Sequence, residues 1–336
     1  MTDQVDQDAH AVFLPAFGDL ELSDSVRAFL KNGGVALLPG ESRDEYVARE
    51  MSTDRITSEK RDHFRSLADG AMTLTGRPIL VAVDQELGGI RRLHQLVPQL
   101  PGAADAAKMT GQEIERISYE VAVAAKQFGI NMFLSPIVDV VTGKNDWLRG
   151  RTISTDPETV SRVASSFVRG IQRAGVVATA KHFPGHHDIS ADPAVSEAVV
   201  SGNLEELAKG FGPFREVIAA GTLAVMTGPA IVPSLDVDEP ASLSPKIINL
   251  LRTKFGFTGM VVSDDLDSKA TMRSDTLERA AIAALNAGSD LLLVAAGAHL
   301  GDLIASVAQA TRDGHIPSNR LSEAATRVRQ TARWAA

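Results

Sequence analysis

The chain has 336 residues, 44% of them hydrophobic and 23% charged, a balance that buries a large core and excludes a disordered chain. Forty-two acidic against 34 basic residues leave a net charge of −8 with no basic run, which disfavours nucleic acid and anionic membrane surfaces as partners and suits a small neutral ligand. There is no cysteine, so disulfides and thiolate metal sites are excluded.

Residues 1–10 are acidic and polar, without the basic region and apolar stretch of a secretion signal. No apolar run approaches membrane-spanning length, and the expectation is a cytoplasmic protein. Short apolar, β-branched runs then recur along the chain, each followed by a stretch of helical periodicity, the pattern of βα units. In order they predict strands at roughly Val12–Phe17, Val35–Leu38, Ile79–Asp84, Met132–Val138, Val176–Lys181, Leu223–Thr227, Met260–Ser263 and Leu291–Ala295. Between the fourth and fifth, Val160, Val163, Phe167 and Ile171 form one apolar helical stripe. Farther on, Asn203 and Glu206 have capping-box spacing, Gly221 marks a helix stop, and Ser244-Pro245 reads as an N-cap followed by proline at the first helical position. Eight such units with no linker between them predict an α/β fold, a single (β/α)8 TIM-type barrel over residues 1–336.

A barrel carries its chemistry at the C-terminal ends of its strands. The polar residues there are Asp84-Gln85-Glu86 after the third strand, Asp139 after the fourth, Lys181-His182 after the fifth and Ser263-Asp264-Asp265 after the seventh. The string Ala178-Thr179-Ala180-Lys181-His182-Phe183-Pro184-Gly185-His186 resembles the KHFPGH signature of glycoside hydrolase family 3. Val83-Asp84-Gln85-Glu86, Ser135-Pro136-Ile137-Val138-Asp139-Val140, Pro240-Ala241-Ser242-Leu243-Ser244 and Gly259-Met260-Val261-Val262-Ser263-Asp264-Asp265-Leu266 follow in that family's order. The likeness covers nearly the whole chain and is to the single-domain N-acetyl-β-glucosaminidase branch, which implies a retaining exo-β-glycosidase acting on terminal β-linked amino sugars of a small carbohydrate or glycoconjugate.

The resemblance implies Asp264 as nucleophile, and Asp84, Arg92, Arg151, Lys181, His182 and Met226 as the residues that hold the sugar. It implies no cofactor, nothing in the attack requires a metal, and the oligomeric state is left open. A zinc or iron reading of His182, His186, His187 and Asp188 is chemically conceivable, but two of these histidines belong to a metal-free motif. Four departures stand at the same rim. Leu87 and Gly89 break the family's EGGR string, Pro229 stands near an expected histidine, and Asp267-Ser268 replaces the usual Ser-Met. Above all, the family's Asp-Ser-His triplet reads Asp192-Pro193-Ala194, so the aspartate of the acid/base dyad is kept and its histidine is alanine. Three substitutes present themselves: His187 in the same loop, Glu197 three residues past Ala194, or a substrate or acceptor (phosphate among them) that relaxes the need for an acid. Without any of them the chain is a weakened, sugar-binding barrel acting as a sensor or partner protein.

Overall fold

The structure is a computed structural model that describes residues 3–40, 42–273 and 275–336. Among the described residues ten strands form, in chain order β1 (Phe13–Phe17), β2 (Ala36–Pro39), β3 (Leu80–Val83), β4 (Met132–Phe133), β5 (Val177–Phe183), β6 (Ala224–Thr227), β7 (Ile231–Val232), β8 (Asp236–Pro240), β9 (Met260–Val262) and β10 (Leu292–Ala295). Eight of them pair in parallel in the order β10-β1-β2-β3-β4-β5-β6-β9, and a bridge between Val262 and Leu291 joins the two ends, which makes the sheet a closed ring. The eight apolar runs in the sequence are these eight strands, and the fold is a (β/α)8 barrel. Strands buried on both faces read as unbroken apolar runs, because barrel interior and helix layer both exclude water.

The helix signals act as their chemistry predicts. Asp156 caps the helix Pro157–Arg173 by accepting from the N–H groups of Glu158 and Thr159, and Val160, Val163, Phe167 and Ile171 are all fully buried. Burial of each such side chain stabilises the fold by about 1.5–3 kcal/mol. Asn203 and Glu206 form a reciprocal capping box, Ser244 caps Pro245–Thr253, and the chain leaves the helix Phe211–Ala219 through Gly221 at φ +83°.

Two expectations need correction. The fourth strand ends at Phe133 rather than Val138, since Pro136 has no N–H to donate to a ladder; the chain rejoins β5 only where Ile137 bridges Lys181. The count of eight strands also leaves out a pair: after β6, Ile231–Val232 and Asp236–Pro240 form an antiparallel hairpin, β7 and β8. A further unforeseen feature is the link from β2 to β3, which carries two short helices, Arg43–Ala48 and Thr53–Ser58, over the mouth of the barrel. Among the described residues, no helix is long and apolar enough to cross a membrane.

One buried charge cluster closes the sheet seam. Asp290, fully buried just ahead of β10, accepts from Arg252 and Arg320 at 2.7 Å, from Arg327 at 3.1 Å and from the N–H of Val261 at 3.0 Å. Removing one partner of such a cluster leaves uncompensated charge, at a cost of about 3–5 kcal/mol. Asp290→Ala is therefore expected to lower the denaturation midpoint far more than alanine at an exposed surface acid such as Glu120; equal midpoints would show that the arginines find other partners.

Candidate active site

Four charged side chains interlock at the ends of β3 and β5 and in the loop after β4. Lys181 Nζ lies 2.5 Å from Asp84 Oδ1 and 2.9 Å from Glu86 Oε1. Arg151 grips Glu86 with two bonds, Nη2 to Oε1 at 2.7 Å and Nε to Oε2 at 3.1 Å. All four are buried. Burial alone would discharge Lys181, but Asp84 and Glu86 outweigh it and hold its pKa above the ordinary value. Burial likewise opposes the Glu86 carboxylate, and Arg151 and Lys181 overcome it, keeping Glu86 well below the usual carboxylate range. Glu86 was visible in the sequence as a strand-end acid but not as the link between the two cations. Gly89 makes the link possible: a Cβ there would stand 2.0 Å from Glu86 Oε2 and 2.7 Å from Arg151 Cγ, so the side chain lost from the EGGR pattern is space the ion pair occupies.

Behind His182 stands Asp139, whose two carboxylate oxygens each accept two bonds. Oδ2 accepts from the His182 N–H at 3.0 Å and from its Nδ1 at 2.8 Å; Oδ1 accepts from the His186 N–H at 2.8 Å and from its Nδ1 at 3.2 Å. Both rings therefore carry a proton on Nδ1. Burial pushes the His182 pKa down to about 3 despite Asp139, so the ring is neutral at physiological pH. Trp147, which no sequence signal marked, packs on His182 at 4.5 Å between ring centroids and lies under the Arg151 guanidinium at 5.3 Å. Donor atoms of Asp139, His182 and His186 fall within 4.8 Å of one another, the grouping a metal would need. Here each Asp139 oxygen is already committed to two N–H donors, so the carboxylate works as an orienting partner for the rings, and His187 and Asp188 stand outside the group.

Asp264 follows β9. Its N–H donates to Ser242 Oγ at 3.0 Å, and the Asp265 N–H donates to its Oδ1 at 2.8 Å. Oδ2 is buried, accepts no hydrogen bond and lies 3.9 Å from His182 Nε2. Burial raises the Asp264 pKa to about 6, with the Asp265 carboxylate adding to it and the bond from the Asp265 N–H and the charge on Lys181 opposing it. The resemblance implies Asp264 as nucleophile, and a carboxylate attacks only when ionised, so kcat/KM on a substrate it attacks is expected to fall about tenfold per pH unit below pH ~6. A profile flat down to pH ~4 would assign the attack to a group with an ordinary carboxylate pKa.

A buried, singly bonded carboxylate facing a neutral imidazole and an Asp-Lys-Glu-Arg array fits displacement at the carbon of a hydroxyl-rich ring. The sequence pattern described as "Glycosyl hydrolase family 3 N terminal domain" matches residues 21–331. The chain belongs to glycosyl hydrolase family 3. A Beta-hexosaminidase of Stenotrophomonas maltophilia (strain K279a) is 33% identical over 283 residues, covering 82% of this chain and 80% of that protein. Beta-hexosaminidase LpqI of Mycobacterium tuberculosis is 33% identical over 262 residues, 75% of this chain and 67% of the relative. Among solved structures, a glycoside hydrolase family 3 beta-N-acetylglucosaminidase from Paenibacillus sp. str. FPU-7 superposes with a TM-score of 0.89 at 26% identity, covering 99% of this chain, which spans 63% of that protein's length. M tuberculosis LpqI superposes with a TM-score of 0.83 at 27% identity, over 98% of this chain and 93% of that one.

Within this family 3 barrel, the residues expected around the sugar divide. Asp84, Arg151, Lys181, His182 and Asp264 are linked by the contacts above. Arg92 is not among them: it is fully buried, grips Glu59 at 2.6 and 2.7 Å, and lies 4.9 Å over the Phe64 ring under the link that follows β2. Its contacts assign it to holding that link, because a fully buried guanidinium needs a carboxylate partner. Met226 is buried within β6, opposite Val262, with no polar contact to the sugar-holding array.

The loop that carries Asp192 and Ala194 is held by the unforeseen β2–β3 link. Asp192 pairs with Arg49 through Oδ2, and its Oδ1 accepts from the Ala194 N–H at 3.0 Å. Arg43 donates to the Ala194 carbonyl at 2.8 Å and pairs with Asp265. An arginine thus occupies the aspartate for which the resemblance implies a histidine partner. Neither proposed substitute acid is brought to Asp264. His187 is turned toward Gly202, with Asp188, Glu206, His186 and Lys209 as its charged surroundings, and burial holds its pKa below the ordinary value. Glu197 is 66% exposed and faces Arg273 at 3.9 Å. These corrections share a cause: sequence spacing gives loop membership, whereas the direction of a loop side chain is set by what the loop packs on.

Proposed function

We propose that the protein is a retaining exo-β-glycosidase of the β-N-acetylhexosaminidase type, which hydrolyses terminal β-linked amino sugars with Asp264 as nucleophile and without the usual acid/base histidine. The observation that carries this reading is Asp264 Oδ2, a buried carboxylate oxygen with no hydrogen-bond partner next to the His182 ring. A group meant only to bind or to cap would have that lone pair satisfied, since an unmet buried acceptor costs about 1–3 kcal/mol. Lys181, Asp84, Glu86 and Arg151 supply donors and acceptors for ring hydroxyls, and the neutral His182 accepts from one through Nε2. Oδ2 attacks the anomeric carbon, the glycosyl ester forms on Asp264, and water releases the sugar with its configuration retained. A cytoplasmic setting is part of the same proposal: with no cysteine, nothing in the chain calls for an oxidising compartment.

The test is covalent trapping with a 5-fluoro glycosyl fluoride of N-acetylglucosamine, which slows release of the glycosyl ester. The expected result is one added sugar per chain on the peptide that carries Asp264; a label elsewhere, or none, overturns the assignment. A second reading is favoured by Ala194 and the Arg49–Asp192 pair: a barrel that binds amino sugars without turning them over. It predicts saturable N-acetylglucosamine binding by calorimetry together with no release of fluoride from N-acetyl-β-glucosaminyl fluoride.

A further inference from the structure

The ends of β1, β2 and β10 surround a cavity of about 550 Å³, of whose lining the reading above uses only Asp84. Its size is that of a small-molecule site. Phe17, Leu38 and Leu293 give it an apolar floor, while Arg43, Tyr46, Asp84 and Asp265 stand along its wall. Asp84 is bonded to Lys181 of the sugar-holding array and the Asp265 N–H donates to Asp264, so the cavity shares its wall with the residues around the reacting centre. Arg43 tells which side of the sugar it serves. That side chain lines the cavity and also donates to the carbonyl of Ala194, the position where a general acid would stand. A general acid must lie beside the departing oxygen, so the cavity lies on the leaving-group side.

We infer that this cavity is a subsite for an aromatic aglycone, and that the substrates of this chain are β-glycosides of phenols. The inference rests on the retaining-glycosidase reading and adds to it the class of leaving group. Two independent observations converge. No acid stands at Ala194, which demands a leaving group that departs unprotonated, and the cavity that Arg43 joins to that position has an apolar floor of Phe17, Leu38 and Leu293 with Tyr46 on its wall. A phenol ionises near pH ~10, far below an alkyl or sugar hydroxyl, so its anion departs without help. The bond from anomeric carbon to phenolic oxygen breaks with its electron pair going to the oxygen as the carbon bonds to Asp264 Oδ2. The phenolate takes a proton from solvent. Water then adds to the same carbon and gives up a proton to solvent, and Asp264 recovers its carboxylate. Arg43 supplies a cation at the wall where the phenolate emerges, and the Tyr46 ring a face for an aromatic ring.

The experiment uses the full chain and three N-acetyl-β-glucosaminides: the fluoride, the phenyl glycoside and the 2-naphthyl glycoside. Ala296 and Ala298 line the cavity from the turn after β10, and Ala296→Leu and Ala298→Trp fill it. In the parent, kcat/KM is expected to be about tenfold or more higher for naphthyl than for phenyl, the scale set by filling an apolar pocket. Either variant is expected to remove that advantage while hydrolysing the fluoride at the parent rate, which also reports that it is folded. Equal parent rates on the two aryl glycosides, or variants that slow fluoride and naphthyl alike or neither, overturn the aglycone subsite while leaving the nucleophile assignment standing. A parent that releases no fluoride overturns the glycosidase reading and this inference with it.

Discussion

Asp264→Asn is expected to reduce turnover of aryl N-acetyl-β-glucosaminides by a factor on the order of 10⁴–10⁶, the range seen when a covalent nucleophile is removed. The change keeps the shape and the Oδ1 bond from the Asp265 N–H but removes the attacking charge. It should not cost stability. The Asp264 pKa is about 6 in the folded chain against an ordinary value of 3.8, so folding favours the protonated form and ionisation at neutral pH weighs against the fold. Between those two values the folded state holds more protons than the unfolded one, and this group makes stability fall as pH rises. Above about pH 6 the penalty is complete. Asparagine is uncharged throughout, so the variant is expected to melt at or above the parent temperature at pH ~7 and to lack that part of the pH dependence. A variant that unfolds well below the parent, or turns over within about tenfold of it, would show that Asp264 is a structural cap and that the attack belongs elsewhere.

The second large effect concerns Ala194. Restoring a general acid typically gains about 10²–10⁴ in rate on leaving groups that need a proton. Ala194→His alone is expected to fall short of this, because Asp192 is already paired with Arg49 and cannot orient the new ring. Arg49→Ala with Ala194→His is expected to give the gain in kcat/KM on unactivated glycosides, with little change on nitrophenyl or fluoride substrates. Azide supplies an independent readout. In the parent, breakdown of the glycosyl ester lacks a base, so a small anion that needs none should accelerate turnover and divert product to the β-glycosyl azide. The double variant should respond less. A parent that cleaves unactivated glycosides at rates independent of leaving-group pKa, and ignores azide, would show that an acid operates from a residue other than those of this loop.

Folding chemistry explains why some of this was readable along the chain and some was not. The strand count, the caps at Asn203 and Ser244 and the stripe Val160, Val163, Phe167, Ile171 depend on near neighbours and on which face meets the core. A local pattern therefore carries them. The alternation of eight apolar runs with helical stretches also determined the barrel, and a barrel sends strand-end residues such as Asp84, Lys181 and Asp264 to one rim. Tertiary structure alone decided which of those rim residues touch. Glu86 joins Lys181 to Arg151 only because Gly89 vacates the space between them, and Asp139 serves two histidines only after the fourth strand breaks at Pro136. Arg49 lies 143 positions from Asp192 and Arg43 lies 222 from Asp265. Pairings at such separations follow from how the β2–β3 link packs across the closed ring, and no periodicity records them. The alanine at position 194, where the resemblance implies a histidine, was thus legible in the sequence. That an arginine had taken its aspartate, and that His187 and Glu197 face away, was decided by long-range packing, because a charged side chain in a loop turns to whichever partner the assembled fold sets beside it.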